Sequence, residues 1–185
     1  MTPHEYLLLI ERLVKEADRD DMQKAVDLVY ETFKNDKTIF VAGNGGSAAT
    51  ANHFAADFGK NVVTGNEGRP RIMSLCTSVA SITAYANDEG YEYAFSRQMT
   101  NWAKEGDLLI VISASGNSPS VVEAAKLMHE RGGKVIAMTG FSGGKLCDMA
   151  DVSMHTNDCH YESVEDIHSV FCHLIVSCVK SKLNG

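Results

Sequence analysis

Two short strings carry residue types suited to holding an anion. The first is Gly43-Asn44-Gly45-Gly46-Ser47. The second is Ser113-Ala114-Ser115-Gly116-Asn117-Ser118, with Pro119 behind it. Glycines let the backbone approach a ligand closely, and N–H groups at a helix start point at negative charge. Ser47, Ser113, Ser115 and Ser118 add hydroxyl donors. With Ala48 behind it the first string also fits G-x-G-x-x-A, but the run that should end in an acidic residue ends Leu75-Cys76-Thr77, which argues against a dinucleotide. One such string alone reads equally well as a capped helix with a polar turn. Two of them, after neighbouring strands, point to a shared anion site.

A second set of residues could bind a cation or move protons. His53 and Asp57 are four apart, which puts them on one face of a helix. On spacing alone, a solvated His–carboxylate pair is the simpler reading. Near the C-terminus lie Glu165, His168 and His173. An apolar seam of Val164, Ile167, Phe171, Leu174, Ile175 and Cys178 leaves His173 about 150° from its centre, facing away from that helix's own core. Glu165 and His173 are eight residues apart, a rise of about 12 Å in a regular helix. Either the helix begins after Glu165, or the two serve a site completed by a neighbouring subunit. His168 is a rival ligand or a surface histidine, and His160 a loop residue.

These residues need a scaffold. Short apolar runs at 38–42, 71–75, 107–112, 134–138 and, weakly, 151–154 alternate with helical stretches at about 47–59, 79–101, 118–131 and 161–182. Runs apolar on both faces are strands of a covered parallel sheet. The alternation predicts an α/β fold, a doubly wound three-layer αβα sandwich with a five-stranded parallel sheet, in a single domain spanning 1–185. Residues 1–34 read as two amphipathic helices, an N-terminal extension with more apolar surface than one sheet face needs, and so used in oligomer packing. Ligands of such folds sit at the carboxyl ends of the strands.

Composition narrows the partners. The 185 residues carry a formal charge of −7, which argues against a broad nucleic-acid surface. No apolar run approaches the roughly 20 residues of a membrane span. The N-terminus lacks a signal-peptide pattern. Five cysteines without CxxC spacing read as free thiols in a reducing cytoplasm, most of them in the core. Tyr85, Tyr91 and Tyr93 read as packing residues, and Gly143-Gly144-Lys145 as a turn.

The two glycine–serine strings together resemble the sugar isomerase (SIS) domain, and more narrowly the phosphoheptose isomerases. The likeness extends to the helical N-terminus and Asn87-Asp88. It implies an aldose–ketose isomerase acting on a sugar phosphate, most closely sedoheptulose 7-phosphate, and a homotetramer with active sites at subunit interfaces. The implied substrate contacts are Asn44, Gly45, Gly46, Ser47, Asn87, Asp88, Ser113, Ala114, Ser115, Ser118 and Glu165. The implied zinc ligands, one ion per subunit, are His53, Asp57, Glu165 and His173, with Asp57 and His173 as the acid–base pair. Asp57 and Glu165 stand where the family usually has Glu and Gln. Lys60 stands near a usual arginine, and Ala114 replaces a hydroxyl. Other SIS proteins are non-catalytic phosphosugar sensors or bind a replication initiator. These usually lack the carboxylate after the helix histidine, so Asp57 counts against that alternative.

Overall fold

The computed structural model describes residues 1–63 and 68–184. Five strands form one parallel sheet: β1 (Thr38–Gly43), β2 (Arg71–Ser74), β3 (Leu108–Ser113), β4 (Lys134–Thr139) and β5 (Val152–His155), in the order β2-β1-β3-β4-β5. β1 and β3 lie side by side, with Gly43 opposite Ile112. Their carboxyl ends carry the two glycine–serine strings. The chain leaves β1 toward β2 and leaves β3 toward β4, so the order reverses between them. That crevice is where a doubly wound sheet receives its ligand.

The helices form two layers. On one side, α1 (Pro3–Glu16), α2 (Arg19–Lys34), α3 (Gly46–Asn61) and α8 (Tyr161–Asn184) pack together, with α8 contacting the other three. On the other, α4 (Val79–Asp88), a 3₁₀ turn (Tyr91–Tyr93), α5 (Ser96–Thr100), α6 (Pro119–Glu130) and α7 (Gly144–Met149) follow one another. β3 is buried along its whole length, as a central strand covered on both faces must be.

Three expectations change. The predicted helix over 79–101 is broken at Glu89–Gly90, where Gly90 takes a φ of +114°, open to glycine and costly for other residues. Gly143-Gly144-Lys145 does turn, but it then opens a short helix, α7. Only Cys76 and Cys172 are buried among the five free cysteines, because the others fall at helix and loop surfaces. In the N-terminal extension, Leu13, Met22, Ala25, Val26 and Val29 are buried within the chain itself. On α1, Leu7 and Leu8 remain 67% and 50% exposed.

Candidate functional site

The anion loops are shaped by close backbone approach. A Cβ on Gly43 would come within 2.7 Å of the Ser47 carbonyl oxygen, so the end of β1 must be glycine for α3 to begin there. Gly45 precedes α3 with a φ of +56° and gives no side-chain cap. Ser118 precedes α6 and also makes no side-chain cap, with Pro119 in the first helical position. Both helices therefore present uncapped N-terminal N–H groups. Among the described residues, the hydroxyls of Ser47, Ser113 and Ser118 make no hydrogen bond. Ser47, Ser113 and Ala114 are buried, while Ser115 and Ser118 are partly open. The second loop rests on Gly143 and Gly144, and the Lys145 N–H donates to Asn117 Oδ1 at 3.1 Å. Asn87 and Asp88 are exposed at the end of α4, joined by an Asn87 Nδ2 to Asp88 Oδ1 bond of 2.8 Å.

The second cluster lies further along α3. Gly46, Thr50, His53 and Asp57 fall at i, i+4, i+7 and i+11, which is one stripe of the helix. That stripe meets α8, where Glu165, Ser169 and His173 share a face. The Glu165 carboxylate lies against Gly46, and His173 meets His53 about two turns further on each helix, so α3 and α8 run side by side in the same direction. His53 Nε2 and His173 Nε2 are 3.0 Å apart. Asp57 Oδ2 lies 3.4 Å from His53 Nε2 and 3.7 Å from His173 Nε2. The other carboxylate oxygen, Oδ1, accepts from Asn61 Nδ2 at 3.3 Å.

The three donor atoms are spaced for a metal ion. Ligand bonds of about 2.0–2.1 Å in a tetrahedron place neighbouring donor atoms roughly 3.3 Å apart. The observed 3.0, 3.4 and 3.7 Å bracket that spacing. Two imidazoles and a carboxylate are an ordinary set for a divalent cation, and three protein ligands leave a position open for substrate. Both histidine side chains are about half exposed, so the open position faces solvent.

The fourth expected ligand is not in this cluster. α8 is continuous from Tyr161, so Glu165 sits about 12 Å of helix rise before His173. Its carboxylate stands at the anion-loop end instead, where a Cβ on Gly46 would lie 2.4 Å from Glu165 Oε2. The helix therefore begins before Glu165, which leaves the reading of a site completed by a neighbouring subunit.

His168 is neither a rival ligand nor a surface residue. It is fully buried on the inner face of α8, and its ring nitrogens have no hydrogen-bond partner among the described residues. Burial pushes its pKa down to about 4. The nearby Thr139 backbone opposes this weakly, and His155 adds to it. His160 is a loop residue, facing Asp158 at 3.3 Å. Asp158, Cys159 and His160 also offer donor atoms near one another, but they are consecutive, and Asp158 is held by Ser163 in the first turn of α8. Lys60 is exposed.

Two residues escaped the sequence reading. Asn61 orients Asp57, and only its i+4 spacing hinted at this. Tyr91, read as packing, is 51% exposed and donates its hydroxyl to Asn44 Oδ1 at 2.7 Å.

Comparison with known proteins agrees with this architecture. The SIS domain family matches residues 4–140. The chain is 37% identical over 182 residues to the phosphoheptose isomerase of Aliarcobacter butzleri, covering 97% of this chain and 96% of that one. The structure of phosphoheptose isomerase GmhA from Neisseria gonorrhoeae superposes with a TM-score of 0.88 at 33% identity, covering 96% and 94% of the two chains. A phosphoheptose isomerase structure from Francisella tularensis gives 0.89 at 25% identity, with the same coverage. The chain belongs to the SIS domain family. Within it, the relatives it matches along nearly its full length are phosphoheptose isomerases.

Proposed function

We propose that this protein is an aldose–ketose isomerase acting on a phosphorylated sugar, interconverting sedoheptulose 7-phosphate and a heptose 7-phosphate with one zinc ion per subunit. The observation that carries the reading is the arrangement along α3. Uncapped helix ends and free serine hydroxyls stand at one end, and a two-histidine, one-carboxylate cluster stands further along the same face. Seven residues of helix, about 10 Å, separate Gly46 from His53. A sugar of six or seven carbons, with bonds of about 1.5 Å, has that reach once its terminal phosphate is anchored.

Zinc held by His53, Asp57 and His173 would act as a Lewis acid, polarising the sugar's carbonyl and adjacent hydroxyl oxygens. Asn44 to Ser47 and Ser113 to Ser118 hold the phosphate with neutral donors, consistent with an acidic chain. Asn87 and Asp88 meet the sugar hydroxyls. Asp57, with Asn61 fixing its carboxylate, removes a proton from C1 of the ketose, leaving an enediol, and returns it to C2. With its Nε2 given to the metal, His173 would carry the matching proton between the two oxygens on Nδ1. Glu165, at the anion-loop end, adds a negative charge where the substrate's own charge arrives. The exposed Leu7 and Leu8 of α1 support assembly into a homotetramer. Among the described residues no helix is long and apolar enough to cross a membrane, and a cytoplasmic location is part of the same proposal.

The test is incubation of zinc-loaded protein with five- to seven-carbon sugar phosphates, together with metal analysis. Interconversion of at least one of them is expected, fastest for the seven-carbon pair. No interconversion across the panel, or no bindable zinc, overturns the reading.

A further inference from the structure

The loop after α4 brings a tyrosine to the anion loops by a route that the sequence pattern does not reveal. Gly90 turns the chain sharply, and the 3₁₀ turn it starts projects Tyr91 onto Asn44, 47 residues earlier. The phenol donates to Asn44 Oδ1 at 2.7 Å, while Asn44 Nδ2 donates to Ser120 Oγ at 2.9 Å. Ser120 is buried in the first turn of α6, directly behind Ser118 and Pro119. One amide thus joins the first anion loop to the helix that opens from the second. Tyr91 is bonded at the end of the amide that could otherwise rotate. The ring itself is half exposed, so burial does not explain its position. It also walls a cavity of about 700 Å³ whose lining includes Asn44, Ser118 and Ser120.

We propose that Tyr91 is a positioning residue: through the Tyr91–Asn44–Ser120 chain it fixes the two anion loops at the spacing at which their donors converge on one phosphate. An anion held by two separate helix ends gains from each only if their separation is set beforehand, because ordering them on binding costs affinity. The Asn44 amide is bonded at both ends, its oxygen to Tyr91 and its nitrogen to Ser120, so its plane is fixed between the two hydroxyls. Without the phenol, the amide and the loop carrying Gly45 and Gly46 lose that constraint. The inference rests on the phosphate-binding part of the proposed function and not on the isomerisation.

The test compares full-length wild type with Tyr91→Phe, Ser120→Ala and the double variant, with Tyr93→Phe as control. Tyr93 carries Arg97 over its ring and takes no part in the chain. Affinity for inorganic phosphate and for sedoheptulose 7-phosphate is measured by titration calorimetry, kcat and KM are measured in parallel, and thermal melts confirm folding. Tyr91→Phe should weaken both ligands about three- to tenfold, the size of one lost neutral hydrogen bond, with kcat within about twofold of wild type. Ser120→Ala should do the same. The double variant should lose little more than either single one, because both act through Asn44. Tyr93→Phe should bind as wild type does. Unchanged phosphate affinity in Tyr91→Phe overturns the proposal, as do fully additive losses, a fall in kcat with KM intact, or failure of the wild type to bind phosphate. A wild type that binds phosphate but isomerises nothing would sink the isomerase reading, while the phosphate titrations would still decide the role of Tyr91.

Discussion

Replacing His168 with Leu should flatten the acid side of the stability profile. In the folded chain its pKa is pushed from the ordinary 6.5 down to about 4, chiefly by burial. A base with a depressed folded pKa takes up its proton more readily when unfolded. Stability is therefore full above about pH 6.5, falls as the pH drops toward 4, and changes no further below that. At about 1.4 kcal/mol per pH unit, the whole window corresponds to about 3 kcal/mol, and the stretch from pH 7.5 to 5 to about 2 kcal/mol. For a chain of this length that is roughly 4–8 °C in melting temperature. Leu is close in volume and removes two ring nitrogens that lack partners, so little stability is lost at pH 7.5. Melting curves of wild type and H168L, recorded from pH 7.5 to 5, should diverge steadily, the variant gaining about 2 kcal/mol relative to wild type. Groups titrating elsewhere affect both proteins and cancel in the difference. Parallel curves would show that the buried imidazole does not stay neutral, and would refute the reasoning.

Other outcomes follow from the site. Asn61→Ala should weaken zinc binding about 10- to 100-fold, since Asn61 orients a ligating carboxylate; a competitive chelator titration reads this. Ser118→Ala should leave the melting temperature within about 1 °C, because the hydroxyl caps nothing, yet weaken sugar-phosphate binding about tenfold or more, as a lost bond to a charged group does. Gly43→Ala should destabilise by about 1–3 kcal/mol and abolish phosphate binding, because the new Cβ would meet backbone that cannot swing aside; calorimetry and a melt together check both parts.

Much of this architecture was legible because it is local. The strands announce themselves as short apolar runs, and the anion loops as glycines where β1 and β3 hand over to helices. The break at Gly90 was also written in the sequence, but the residues around it, Tyr85, Ala86, Tyr93 and Ala94, sustain a helical apolar pattern that outweighed a single glycine. α7 has six residues, too few for periodicity to register. His168 sits between Ile167 and Phe171 on the buried seam, and its polar type hid that placement. The site divides in the same way. His53 and Asp57 are neighbours on one helix, but their meeting with His173 spans 120 residues of sequence, and family resemblance rather than spacing anticipated it. The same resemblance put Glu165 with the metal; a straight α8 carries its carboxylate to Gly46 of the same chain, which leaves the reading of a site completed by a neighbouring subunit. The Tyr91–Asn44 bond joins distant loops through side-chain geometry that no local pattern encodes.

The central claim is tested most directly by following sedoheptulose 7-phosphate with the zinc-loaded protein in D₂O by phosphorus and proton NMR. The account predicts growth of an aldose heptose 7-phosphate, with deuterium entering at C2 from solvent exchange at the enediol stage. Ligand that binds but is returned unchanged, with no deuterium incorporated, would contradict it.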